Sequence, residues 1–79
     1  MKKVTLVQMK TRQIGTIIEI EGGSALEKRL AAMGVNIGKH AIKLSGFVLR
    51  GPVAIKVGRT VVALGHGMAS KVWVNLDRK

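Results

Sequence analysis

The chain has 79 residues, no cysteine, and fourteen lysines and arginines against four acids, for a formal charge of +10. It reads as one domain, residues 1–79, whose core buries about 60–65% of the unfolded surface and is held by packing alone, with no room for a separate catalytic domain. No run of eighteen apolar residues exists to span a membrane, and the signal-like start Lys2-Lys3 loses its apolar run at Gln8 and Lys10, so a cytoplasmic location is expected.

Ile14 to Ile20 alternates imperfectly and ends at Gly22-Gly23, which predicts a first strand with Ile18 and Ile20 inward and Glu19 and Glu21 outward. Ser24-Ala25-Leu26-Glu27-Lys28 then opens a helix. Ser24 and Glu27 have the spacing of a capping box, Leu26, Leu30 and Met33 share one face, and Gly34 supplies the left-handed stop. Lys28 and Arg29 point outward. Val35-Asn36-Ile37-Gly38 is a turn, and His40 to Leu44 is a second strand with Ile42 and Leu44 on the face opposite Ala41 and Lys43. Phe47-Val48-Leu49 is apolar, and Arg50-Gly51-Pro52 turns into a third strand, Val53 to Val57, with Val53, Ile55 and Val57 inward. Gly58-Arg59 is a two-residue hairpin turn of type II′ into Thr60 to Leu64. The segment Gly65 to Ser70 suits one tight helical turn, and a fifth strand places Val72, Val74 and Leu76 opposite Lys71, Trp73 and Asn75.

The expected fold class is therefore mainly β: a small Src-homology-3-like five-stranded barrel with one short helix inserted between the first and second strands. An oligonucleotide-binding barrel would place its helix between the third and fourth strands, where Gly58-Arg59 leaves no room.

Leu30-Ala31-Ala32-Met33-Gly34, Gly38, Gly51-Pro52-Val53-Ala54-Ile55-Lys56-Val57-Gly58, and Val62-Ala63-Leu64 followed by Ala69 and Val74 resemble the FeoA family of ferrous-iron transport accessory proteins across almost the whole chain. The resemblance implies a Src-homology-3-like barrel acting in bacterial cytoplasm beside FeoB, the ferrous-iron permease with a cytoplasmic GTP-binding domain. It implies an adaptor and not an enzyme, with no cofactor. Many relatives carry an arginine after the fourth strand, where this chain has Gly65-His66-Gly67-Met68.

The residues agree that catalysis has no visible machinery. Glu19 and Glu21 read as solvated strand positions, there is no Ser/His/Asp or Cys/His set, and Gly65-His66-Gly67 lacks the rest of a dinucleotide motif. His40 and His66, the only imidazoles, are weak metal candidates in the absence of thiols. The charge gives an alternative reading, a basic nucleic-acid-binding barrel, against which Phe47 and Trp73 are too few for a base-stacking platform; the resemblance implies a second alternative, a metal-sensing domain. Phe47, Leu49, Arg50, Met68 and Trp73 are expected to form or border the permease-contacting surface, with Lys28 and Arg29 on the helix as the next candidates. Self-association stays open.

Overall fold

The computed structural model describes residues 2–46 and 51–77. Six strands form one antiparallel sheet: β1 (Lys3–Thr5), β2 (Ile14–Ile20), β3 (His40–Gly46), β4 (Val53–Val57), β5 (Thr60–Leu64) and β6 (Val72–Leu76), in the order β1-β6-β2-β3-β4-β5. Helix α1 (Gly23–Ala31) connects β2 to β3, and the single turn α2 (His66–Ala69) connects β5 to β6. The Src-homology-3-like architecture stands, with one strand more than the alternation showed: β1 is three residues long and half of it faces solvent, so it carries almost no periodic signal. Its pairing with β6 (Val4 opposite Val74) makes β1 and β5 the two edges of the ladder.

The core is aliphatic, with Leu6, Ile17, Leu30, Val35, Ile55, Leu64, Val72 and Val74 fully buried. β4 and β6 place their alternating residues as expected, with Val53, Ile55, Val57, Val72 and Val74 inside, and β5 buries Val62 and Leu64. The β4–β5 turn has a positive φ at Gly58 (62°) and not at Arg59, the signature of a type II′ hairpin.

Two expectations are corrected, in β2 and at the start of α1, and β3 makes an unusual choice of buried face. In β2 a bulge between Ile17 and Glu19 shifts the phase, so Ile17 and Ile20 enter the core while Ile18 is left 39% exposed. In β3, whose two faces alternate as read, the buried face is that of Ala41 and Lys43, while Ile42 is half-buried and Leu44 exposed. The inward lysine is possible because the ammonium finds three acceptors, described below. At α1 no side-chain cap forms. Gly22 (φ 120°) and Gly23 (φ 82°) turn the chain into the helix one residue early, so Ser24 lies inside the first turn and cannot act as the cap. Leu26 folds back so closely over Gly22 that a Cβ there would meet its Cδ2 at 2.8 Å.

The helix end follows the sequence. Val35 N–H donates to Leu30 C=O and Gly34 N–H to Ala31 C=O, both at 2.9 Å, with Gly34 at φ 88°. These are the two bonds of a Schellman stop, which favours glycine at the left-handed position. Leu30 anchors the helix as the fully buried member of its stripe, flanked by half-buried Leu26 and Met33.

Candidate partner-binding surface

The segment joining β1 to β2 begins with a reciprocal pair. Gln8 N–H donates to Thr5 Oγ1 (3.2 Å), and Thr5 N–H donates to Gln8 Oε1 (2.9 Å). Thr5-Leu6-Val7-Gln8 is thus the capping box of this chain, opening one turn in which Gln8 N–H and Met9 N–H also reach Thr5 C=O at 3.0 Å. The carbonyls left over at the end of the turn point inward. Lys43 Nζ donates to three of them, Leu6 O (2.9 Å), Val7 O (3.1 Å) and Met9 O (2.8 Å), using all three of its N–H bonds. Burial pushes the Lys43 ammonium below its ordinary value of 10.5. A polar groove of about 410 Å³ opens beside it, lined by Val7, Met9, Lys10, Thr11, Gly46 and His66.

β1 carries Lys3 onto the outer face, where β6 pairing sets Thr5 opposite Trp73. Lys3 Nζ lies 4.9 Å from the centre of the Trp73 ring and 2.8 Å from Glu19 Oε1, while the indole N–H donates to Glu21 Oε1 at 3.0 Å. Trp73 does face away from the core, as its phase requires. It is half-buried under a cation and two carboxylates, so Glu19 and Glu21 are engaged side chains and not merely solvated ones. The helix does not appear among its polar partners.

Met68 lies on α2 and packs half-buried against the core, on the inward side, away from the Trp73 face. Lys28 and Arg29 are exposed in the last turn of α1, where cations favour the helix carboxyl end. Lys28 rims a groove of about 340 Å³ whose walls are Ile20, Ala31, Val35 and Ile37, with Glu27 and Asn36 on its margin. Phe47, Leu49 and Arg50 lie outside the described residues. The structure thus separates Met68 from Trp73 and adds an apolar floor beside Lys28. That floor includes Ile37, which the sequence reading left in a turn.

His40 and His66 occupy different settings. His40 starts β3, with Nδ1 3.1 Å from Thr16 Oγ1, whereas His66 begins α2 at the rim of the Lys43 groove. Among the described residues no three His, Asp or Glu side chains converge on a point where a metal ion could sit, and no helix is long and apolar enough to cross a membrane.

Comparison with known proteins places this arrangement. Residues 4–76 match the model of the FeoA domain. The crystal structure of an iron uptake regulatory protein, FeoA, superposes with a TM-score of 0.86 at 30% identity, covering 96% of this chain and 99% of the other. A zinc complex of FeoA from Stenotrophomonas maltophilia, described as a prokaryotic SH3 domain protein and a suggested ferrous-iron transport activating factor, superposes at 0.75 with 24% identity over 91% of this chain and 89% of that one. A manganese-dependent transcriptional repressor shares the fold at 0.82 and 19% identity, over 91% of this chain and 40% of its own. No curated protein sequence matches. The family match over nearly the full length, joined to the end-to-end likeness with a 30% identical FeoA, shows that this chain belongs to the FeoA family.

Proposed function

We propose that the chain is a cytoplasmic accessory protein of ferrous-iron uptake that binds the cytoplasmic part of a FeoB-like permease and modulates it by contact, acting as a single 79-residue module. The observation that carries this reading is the FeoA-domain match across residues 4–76. The surface suits it, with the exposed cation Lys28 beside the apolar walls of a groove on α1.

Two parts of the surface suit such contact. One is the helix groove, with Lys28 at the rim of Ile20, Ala31, Val35 and Ile37 and Arg29 exposed in the same last turn of α1. The other is Trp73, whose ring is partly covered by Lys3 and would exchange that cation–π contact for a partner. Phe47, Leu49, Arg50 and the exposed part of Met68 are proposed as further, separate contacts. Calorimetric titration of the permease's cytoplasmic region tests it. Trp73→Ala, or Lys28→Glu with Arg29→Glu, should weaken binding by about tenfold or more, as loss of a central anchor or of a charge pair does. Unchanged affinity in both folded variants rejects these surfaces, and absence of binding by the native chain rejects the adaptor reading itself.

A further inference from the structure

Among the described residues, three of the five exposed large apolar side chains lie together on the outer face of the sheet, away from both surfaces considered above. The strand register sets Ile14 opposite Ile42, Ile42 opposite Lys56, and Lys56 opposite Val61, forming one continuous row across β2, β3, β4 and β5. Ile14 is 42% exposed and Val61 62%. Leu44, looped out at the β3 bulge and 38% exposed, flanks this row, as do Ala54 and Ala63, which are paired across β4 and β5.

The row runs out at an open edge. Among the described residues β5 pairs with β4 alone, and its sequence Thr60-Val61-Val62-Ala63-Leu64 has no charge, no proline and no bulge to blunt it. Because Val57 and Thr60 close a two-residue hairpin, they form a hydrogen-bonded pair, as do Ile55 with Val62 and Val53 with Leu64. The N–H and C=O groups of Val61 and Ala63 therefore point away from β4. Among the described residues no hydrogen bond outside the ladder reaches either of them.

We infer that the β5 edge and the apolar row behind it form a docking site for an extended, acidic and aliphatic segment of a partner protein, added as a further strand beside β5. Backbone groups of Val61 and Ala63 supply the pairing, and alternate aliphatic side chains of the added strand continue the row. Charge selects the partner. Lys56 stands within the row and Arg59 in the adjoining turn, both exposed, and Arg12 is exposed where its N–H bonds Lys43 C=O beside Leu44. The acids lie elsewhere or at the margin: Glu19 and Glu21 are engaged at the far end of β2, Glu27 is on α1, and Asp77 borders Ile14 through its backbone N–H. An added strand lies about 9–10 Å from β4, two strand spacings, which a glutamate and Lys56 bridge between them. Pairing of two copies at this edge would bring Lys56 and Arg59 of each together within molecules of charge +10, so an acidic partner is favoured over self-association. The inference needs only the edge and its charge, and stands apart from the iron-transport reading.

The probe is a blocked synthetic peptide of about ten residues alternating valine and glutamate, with a valine–lysine peptide as control. Nuclear magnetic resonance titration should show saturable shifts at Val61, Ala63, Lys56 and Ile42, with exchange of the Val61 and Ala63 amides slowed about tenfold or more on saturation. Added salt should weaken the binding several-fold. Ala63→Pro, which removes an outward N–H without touching the β4 ladder, should abolish it; Val61→Glu and Lys56→Glu, both at exposed positions, give the same loss should the proline variant fail to fold. Equal binding of the lysine peptide overturns the proposal. So do shifts confined to α1, no shift at about millimolar peptide, or protection of Val61 and Ala63 that rises with protein concentration without peptide, which would assign the edge to a second copy.

Discussion

Replacing Lys43 by methionine isolates the most unusual interaction in the core. Methionine keeps an unbranched stem of similar length inside a site that leaves Lys43 only 5% exposed, so packing is largely conserved while three hydrogen bonds disappear. Of the acceptors left behind, the carbonyls of Leu6 and Met9 are in buried bonds and that of Val7 is partly buried. An unsatisfied buried acceptor costs about 1–3 kcal/mol, so the two buried carbonyls set a loss of roughly 2–6 kcal/mol. Against this, the variant no longer holds an ammonium out of water, a cost of several kcal/mol that the native chain bears. The expected net loss is the smaller difference, about 1–3 kcal/mol. For a domain whose whole stability is on the order of 4–12 kcal/mol, that is readily measured by urea unfolding followed by far-ultraviolet circular dichroism. A variant within about 0.5 kcal/mol of the native chain would show that the three carbonyls are hydrated or re-paired without Lys43, and would refute its role as the clamp of the Leu6–Met9 turn.

Leu30→Ala should cost about 2–5 kcal/mol, since Leu30 is the fully buried anchor of α1; a melt with no loss would contradict that anchoring. Arg12 is the one non-glycine residue of positive φ (76°) among the described residues. Arg12→Gly should therefore be neutral or stabilising by up to about 1 kcal/mol and Arg12→Val destabilising by about 1–2, and equal stability of the two would refute the strain. Because burial lowers the Lys43 ammonium below 10.5, the folded state releases this proton first, and the unfolded state holds more protons between that lowered value and 10.5. The stability of the native chain relative to Lys43→Met should accordingly rise with pH through that window; a flat difference in urea midpoints would contradict the sign.

What the sequence made legible was whatever one period or one turn could carry. The alternations of β4 and β6, the Gly58 hairpin and the Gly34 stop each depend on local residues, and each stands. Bulges defeat such reasoning, because one extra residue reverses every side chain beyond it: the Ile17/Glu19 irregularity exchanges Ile18 for Ile17. The buried face of β3 was not legible for a different reason. An alternation of alanine and lysine against isoleucine and leucine argues for the aliphatic pair inside, and only the distant carbonyls of Leu6, Val7 and Met9 reverse it. The pattern that failed at Ser24 and Glu27 recurs at Thr5 and Gln8, where both bonds form. What distinguished the two was the Gly22-Gly23 entry, a backbone property that spacing alone does not encode. At the candidate surface, the outward phase of Trp73 was readable, but its cover was not, since Lys3 arrives on a strand too short to announce itself.

These two hidden features are mechanically linked, which leads to a prediction about the surface from the core. Lys43 fixes the Leu6–Met9 turn, the turn fixes the three residues of β1, and β1 holds Lys3 above Trp73 and against Glu19. β1 is an edge strand with three paired positions, too few to stay docked by its ladder alone. Releasing the turn should therefore free β1 before the rest of the sheet melts, in the manner of a local opening. Trp73 is the only tryptophan, so its emission reports this site alone. In folded Lys43→Met, under conditions where circular dichroism remains native, the emission should shift to the red and become insensitive to Lys3→Ala, whereas in the native chain Lys3→Ala should change it. If Trp73 in the folded variant still responds to Lys3→Ala as it does in the native chain, β1 holds its place without the buried lysine, and the covering of the tryptophan is independent of the core.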